Sequence, residues 1–148
     1  MGIEGRVVQM FIDGYERLTQ LDVNAINKKL WVHFIQHEEY LEQGEQSKIL
    51  TVGQYANFEV GIDLASVCIE PKYVMTDTNA FIQPIDESSH VIVTANVVDI
   101  EDDYSIVCSI KNLGEAILVE FEEKINVGKG ERITFKGNLK ADQLAVLN

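Results

Sequence analysis

With 148 residues, of which 46% are apolar and 24% charged, the chain has the size and composition of one folded domain, which excludes global disorder. A chain of this length buries roughly 70% of the surface that its unfolded form exposes, so it needs neither a metal nor a disulfide to fold. The formal net charge of −12 disfavours nucleic acids and anionic membranes as partners, because binding to them draws on Lys and Arg.

The default expectation for the location is the cytoplasm. No apolar run reaches the roughly 20 residues of a membrane-spanning helix, and the N-terminus lacks the basic and then apolar order of a secretory signal. Cys68 and Cys108 lie inside apolar strand patterns, where a free cysteine behaves as a small buried hydrophobic residue. A disulfide or a functional thiol is the alternative for this pair.

The N-terminal third permits two interpretations at residues 6–20. Apolar side chains recur at helical spacing, but Asp13-Gly14 separates two short apolar runs and is a frequent hairpin signal, so we favour a β-hairpin. A short helix is predicted near residues 22–29, with Asp22 or Asn24 as its N-cap.

Strand patterns follow on both sides of a polar segment. Apolar residues alternate from Leu30 on both faces of a strand that we expect to be central. Residues 37–47 are predicted to form a solvated turn or a single helical turn. Alternation resumes over 58–64, with Leu64 on the same face as Phe58. Residues 71–80 read as a connection, and Pro84 confines the strand before it to an edge or an end.

The C-terminal part, from His90 to Leu139, reads as an antiparallel meander with tight turns at 101–103 and 112–114. The tail after it ends as a short helix or a last strand. In its long first strand and short turns this stretch resembles the five-stranded barrel that binds oligonucleotides, a likeness of architecture over about fifty residues that carries no function. The helix usual before the fourth strand of that barrel has little room between Glu123 and Arg132.

An internal echo links the two parts of the chain. The apolar alternation of 30–34 recurs at 117–121, and the pattern of 52–64 recurs at 127–139. Chance alternation and duplication both account for such an echo, and it supports two similar halves.

We therefore predict a mainly β fold, an antiparallel barrel or sandwich built from two similar β-meander halves, with one short helix near residues 22–29. The whole chain, 1–148, is expected to be a single domain. Its predicted parts are an N-terminal β half at about 1–70, a connection at about 71–80 and a C-terminal β-meander at about 81–148.

Acidic side chains are concentrated in the meander. Between Asp86 and Glu123 there are ten acidic residues and one base, Lys111. Such a face attracts basic proteins and raises the rate at which they associate. The alternative is that the negative charge only keeps the protein soluble. The candidate partner-binding residues are Asp99, Glu101, Asp102, Asp103, Tyr104, Glu120, Glu122 and Glu123.

Other motifs in the sequence are weaker indications of a metal, catalytic or phosphate-binding site. His33 and His37 are four residues apart, but the general-base Glu of a zinc protease motif is missing between them, and the acidic turn lacks the spacing of a calcium loop. No nucleophile motif surrounds Ser88 or Ser89, and the glycines are better explained as turns and bulges than as phosphate loops. We expect no catalytic residue, metal or cofactor. Trp31, Tyr40, Tyr55, Tyr73 and Tyr104 are possible exposed anchors for a protein or a small apolar ligand.

The sequence thus favours a non-catalytic binding protein whose acidic β surface docks on a basic protein, as inhibitors and immunity proteins do when they neutralise a basic toxin. A β-barrel that binds a small molecule is the alternative, and an enzyme is third. The oligomeric state is left open.

Overall fold

The fold, seen in a computed structural model that describes residues 2–68 and 79–147, is mainly β, as the sequence predicts. The described residues form nine strands and one 3₁₀ turn, Asn24–Ile26. The strands are β1 (Ile3–Asp13), β2 (Glu16–Val23), β3 (Lys28–Ile35), β4 (Tyr55–Val67), β5 (Ala80–Ile82), β6 (His90–Ile100), β7 (Ser105–Ile110), β8 (Gly114–Phe121) and β9 (Arg132–Leu147). Their hydrogen-bonded order is β1-β2-β3-β9-β4-β8-β7-β6-β5, with further pairings β1–β4 and β6–β9.

The hairpin interpretation of the N-terminal segment is confirmed. β1 and β2 pair antiparallel up to Asp13↔Glu16, so the two loop residues are Gly14 and Tyr15, one position later than the sequence pattern suggested. Gly14 has φ of 65°, a value that glycine adopts without steric cost. A bulge between Val7 and Gln9 interrupts the regular register of the two strands.

The short helix near 22–29 is confirmed as a single 3₁₀ turn of three residues, Asn24–Ile26. The prediction of its N-cap was wrong, since the capping position is Val23 and no side chain caps the turn. Asn27 closes the turn in the left-handed region with φ of 53°, where asparagine is the most tolerant residue after glycine. This conformation turns the chain directly into β3.

Two compact units make up the chain. The first contains residues 2–60, 85–89 and 140–147, and the second contains 61–68, 79–84 and 90–139. Strands β4 and β9 therefore each contribute one part to each unit. Most of the predicted connection, residues 71–78, lies outside the described residues.

The first unit is organised around the meander β1–β2–β3. The beginning of β4 pairs antiparallel with β1, from Ile3↔Phe58 to Arg6↔Tyr55. The end of β9 pairs parallel with β3 at His33↔Lys140. β3 thus has a neighbour on each side, which agrees with the central position predicted for it.

The second unit is organised around the meander β6–β7–β8 in the same way. The beginning of β9 pairs antiparallel with β6 over seven residue pairs, and the end of β4 pairs parallel with β8 at Ile62↔Val119. β4 and β9 are neighbours as well, and the amide of Cys68 donates to the carbonyl of Thr134 at 2.9 Å. The pairings close the ring β6–β7–β8–β4–β9–β6, which is compatible with a barrel.

Both units therefore repeat one pairing scheme: a three-stranded meander, a fourth strand antiparallel to the first, and a fifth parallel to the third. The aromatic packing repeats too. Phe34 of β3 lies 5.8 Å from Phe58 of β4 between ring centroids, and Phe121 of β8 lies 5.6 Å from Phe135 of β9. The repeated sequence pattern thus coincides with equivalent strands, and each pair of equivalent strands carries an aromatic pair.

One predicted alternation breaks at Leu64. Phe58 and Ile62 are fully buried as expected, but Leu64 is 58% exposed and has φ of 50°. The register between β4 and β8 shifts between Ile62 and Ala65, so an extra residue is accommodated there as a β-bulge. The bulge turns Leu64 outward and returns Ala65 to the interior, where it is fully buried.

Other predicted elements are confirmed. Within the described residues, β5 is the last strand of the hydrogen-bonded order and pairs only with β6, so it lies at the edge of the described sheet. The C-terminal tail is a strand, since β9 continues to Leu147. In the part of the chain that the structure describes, no helix is long and apolar enough to cross a membrane.

Candidate functional site

The acidic surface, defined by the eight candidate residues from Asp99 to Glu123 given above, begins at the turn between β6 and β7. Asp99↔Val107 and Ile100↔Ile106 are the last pairs of this hairpin, so residues 101–104 form its exposed tip. The side chain of Asp102 accepts a hydrogen bond from the amide of Tyr104 at 2.8 Å. Aspartate is a favoured turn residue because its short side chain makes this local bond, and here it holds the tip in shape.

The second part of the acidic surface is the end of β8, which the backbone places beside the tip. Ser105 pairs with Glu120, and the amide of Phe121 donates to the carbonyl of Tyr104 at 2.8 Å. Further along, the amide of Ile125 donates to the carbonyl of Asp103 at 3.0 Å. Residues 120–123 therefore lie next to residues 101–104, and the structure brings all eight candidate residues into one region of the second unit.

Four carboxylates of the acidic surface have no role in the fold that the described residues reveal. Glu101, Asp103, Glu122 and Glu123 are exposed, and within residues 2–68 and 79–147 their side chains make no hydrogen bond or ion pair. Tyr104 beside them is 44% exposed. An exposed aromatic ring among solvated carboxylates is the kind of residue that anchors a protein interface.

Asp99 differs from these four because it has a local partner. Its carboxylate accepts from the amide of Ile100 at 2.9 Å and lies 3.2 Å from Nζ of Lys129. The backbone hydrogen bond and then the lysine lower the pKa of Asp99. Lys129 therefore neutralises this edge of the acidic surface, and the net charge is carried by the tip and by the end of β8.

The remaining candidate residues are dispersed. Nε2 of His33 lies 3.3 Å from Oε1 of Glu16, whereas His37 lies in the turn after β3. Among the described residues, no group of three or more His, Cys, Asp or Glu side chains is placed to hold a metal ion.

The thiols are free, as the sequence suggested. Cys68 is half-buried and Cys108 is buried, and burial raises the pKa of Cys108 to about 12. A thiol with so high a pKa is protonated at neutral pH and is a poor nucleophile.

One aromatic prediction was wrong. Trp31 is only 4% exposed and its ring stacks on Phe11 with centroids 5.9 Å apart, so it is a packed residue rather than an exposed anchor. Tyr40 and Tyr55 are exposed as expected, and Tyr73 lies outside the described residues.

A buried ion pair in the first unit escaped the sequence analysis. Arg17 of β2 faces the interior with 1% of its side chain exposed, and its guanidinium lies 3.3 Å from a carboxylate oxygen of Glu39. The same group donates to the carbonyls of Gly14 at 2.8 Å and of Glu39 at 2.5 Å. The sequence carries one signal of this ion pair. In the alternating pattern of β2, Arg17 shares the inward face with Thr19 and Leu21.

Glu39 in turn holds the loop between β3 and β4. Its carboxylate accepts from the hydroxyl of Ser47 at 2.5 Å and from the amide of Lys48 at 2.8 Å. Burial by itself raises the pKa of the Glu39 carboxyl, but the hydrogen bonds from Ser47, Lys48 and Arg17 outweigh it and lower the pKa. Residues 37–47, predicted as a solvated turn or a single helical turn, are therefore held against β2 through one carboxylate that is 12% exposed.

A cleft of about 980 Å³ lies between this loop and the hairpin β1–β2 in the first unit. Its apolar lining comes from the hairpin, with Phe11 and Leu18, and from the loop, with Leu50 and Val52. The volume is in the range of small-molecule sites, which are commonly about 300–1,000 Å³.

The sequence matches no protein-family model, and comparison with curated proteins finds no significantly similar relative.

Proposed function

We propose that this chain is a non-catalytic binding protein that docks on a basic protein through the acidic surface of its second unit. The observation that carries the proposal is the junction of two acidic segments, 101–103 and 120–123, by backbone hydrogen bonds from Phe121 and Ile125. Two acidic segments that are separate in the sequence thereby lie side by side.

Glu101, Asp103, Glu122 and Glu123 make no hydrogen bond or ion pair with the described residues, so the fold gains no attractive interaction from these four charges. Inhibitors that neutralise a basic toxin use such a surface, because complementary charge raises the association rate by about 10- to 1,000-fold in favourable cases. This supports a rapid, electrostatically guided encounter with a basic partner.

A pair of matched variants tests the proposal. The first replaces the four carboxylates of the acidic surface that have no partner among the described residues, as E101Q, D103N, E122Q and E123Q. The control replaces four exposed carboxylates outside it that also make no hydrogen bond or ion pair with the described residues, as E4Q, E38Q, E59Q and E115Q. Each variant removes four negative charges, so a difference in binding between the two reports the position of the charges rather than the net charge.

The measurement is affinity capture from a native extract, followed by association kinetics with the purified partner. We expect the wild-type chain and the control to retain the same basic protein and the acidic-surface variant to lose it or to associate at least about tenfold more slowly. Raising the ionic strength from about 0.01 M to about 0.15 M shortens the Debye length from about 30 Å to about 8 Å and should slow association for the wild type. Equal binding by both variants, or association that does not depend on salt, contradicts the proposal.

A further inference from the structure

The cleft of the first unit combines an apolar lining with acidic edges, and it is independent of the acidic surface. Phe11 is 44% exposed and Val52 is 62% exposed, and both line the cleft. The ring of Phe11 is held by stacking on the buried Trp31, with an angle of 17° between the ring planes. A fixed, half-exposed aromatic face is therefore available to a ligand.

The ionisable groups that line the cleft do not suit an anion. Among the described residues that line the cleft, Arg17 is the only arginine or lysine, and its two terminal nitrogens already donate to Gly14, Glu16 and Glu39. Its charge is also compensated by the Glu39 carboxylate. An incoming carboxylate or phosphate would have to compete with these bonds inside the protein.

Three exposed carboxylates, by contrast, line the same cleft: Asp13, Glu16 and Glu45. Glu16 contacts the half-exposed His33, and Glu45 accepts from the amide of Glu42 at 2.9 Å. Each carboxylate can still accept further hydrogen bonds, because an ionised carboxylate has about four acceptor positions. The face of an aromatic ring adds attraction for a cation within about 6 Å of its centroid.

We propose that this cleft binds a small organic cation carried on an apolar body. The apolar part packs on Phe11, Leu18 and Val52, and the ammonium group lies towards Asp13 and Glu16. The charge of the ligand is the discriminating feature, so the test compares molecules that share one ring system and carry a cationic, a neutral or an anionic polar group.

Suitable probes are tryptamine, which is cationic, tryptophol, its neutral hydroxyl counterpart, and indole-3-acetate, which is anionic. Dissociation constants come from calorimetry at low ionic strength, and backbone amide shifts in NMR spectra locate the bound probe. We expect tryptamine to bind about fivefold more tightly than tryptophol, indole-3-acetate to bind most weakly, and the shifts to centre on Phe11, Leu18 and Val52.

A double variant, D13N with E16Q, separates charge from shape. It should reduce the preference for tryptamine over tryptophol to about one while leaving tryptophol affinity unchanged, because the amide side chains are nearly isosteric. The matched control, E4Q with E59Q, removes two exposed charges elsewhere in the same unit and should keep the preference.

The proposal is overturned if tryptophol or indole-3-acetate binds as tightly as tryptamine. It is also overturned if millimolar tryptamine gives no saturable binding, or if the shifts centre outside the cleft. Loss of the preference in the control variant as well would show that net charge, rather than this site, attracts the cation.

Discussion

Replacement of Arg17 by methionine is expected to destabilise the protein more than any change to its exposed charges. Methionine fills much of the space of the arginine stem but removes the guanidinium. It thereby leaves the Glu39 carboxylate, whose side chain is only 12% exposed, without its counter-ion. It also removes the donors to the carbonyls of Gly14 and Glu39.

The size of the effect follows from this burial. Removing one partner of a buried ion pair costs about 3–5 kcal/mol, because the remaining charge stays desolvated and unpaired. The matched control is Arg6→Met. Arg6 lies 3.8 Å from Asp22 with both side chains substantially exposed, at 42% and 32%, so its loss should cost less than about 1 kcal/mol.

The assay is urea unfolding followed by tryptophan fluorescence. Trp31 is the only tryptophan of the chain and is buried in the same unit, so its emission reports unfolding there. Combining Arg17→Met with Glu39→Gln in a double-mutant cycle measures the interaction free energy between the two side chains. The double variant should be more stable than the sum of the two single effects implies, by about 1–3 kcal/mol, because the second change removes the unpaired charge.

Stability should also depend on pH through Glu39. The pKa of this carboxyl is lower in the folded protein than its usual value of 4.5, so the unfolded chain takes up the proton first as the pH falls. The stabilisation that the ionised Glu39 carboxylate contributes to the folded state is fully present above pH 4.5. It is lost as the pH falls through the pKa of Glu39 in the folded protein. Glu39→Gln should therefore show a smaller loss of unfolding free energy than the wild type on acidification from about pH 5 to about pH 3.

Two results would refute this reasoning. One is a cost for Arg17→Met no larger than that for Arg6→Met, which would mean that the pair behaves as if solvated. The other is strict additivity in the cycle, which would mean that the two side chains do not interact.

Two further comparisons, each between two positions, test the strand geometry. Gly137→Ala should lower the unfolding free energy by about 1–3 kcal/mol, because an added Cβ would lie 2.7 Å from Cγ2 of Ile62 and 2.8 Å from the carbonyl oxygen of Asp63. Its control is Gly128→Ala, for which the nearest contact would be 3.4 Å and the change should be less than about 0.5 kcal/mol. Equal costs in thermal unfolding would contradict the close approach of β9 and β4. At Leu64, where φ is 50°, glycine should be more stable than alanine by about 1 kcal/mol, and at Leu118, in a regular part of β8, alanine should be the more stable by about 0.5–1 kcal/mol. If urea unfolding gave the same order of stability for glycine and alanine at both positions, the bulge at Leu64 would be excluded as the cause of the preference for glycine there.

The acidic segments of the candidate site could be read from the sequence, because charge is a property of composition. Their junction could not be read in the same way. That Glu120 lies opposite Ser105 depends on the register of β7 and β8, and the contact of Asp103 with Ile125 depends on the path of the chain after β8. The sequence therefore predicted the members of the acidic surface, and the fold decided that they are neighbours.

For the cleft, by contrast, the sequence predicted neither the site nor its members. Its acidic and apolar residues come from the hairpin and from a loop that looked like a solvated turn, and no pattern of either segment points to the other. What joins them is the carboxylate of Glu39, which spans from Arg17 to Ser47. A single buried side chain thus converts a polar segment into a wall of the cleft.

The sequence by itself determined the mainly β class, the hairpin at its N-terminus, the meander from His90 and the echo between 30–34 and 117–121. These features depend on local alternation and turn residues, which act between near neighbours in the chain. Only the tertiary structure decided that β4 and β9 each serve two units and pair parallel with β8 and β3. Pairing between strands distant in sequence is decided by which apolar faces can be buried together, and a linear pattern shows each face but not its partner.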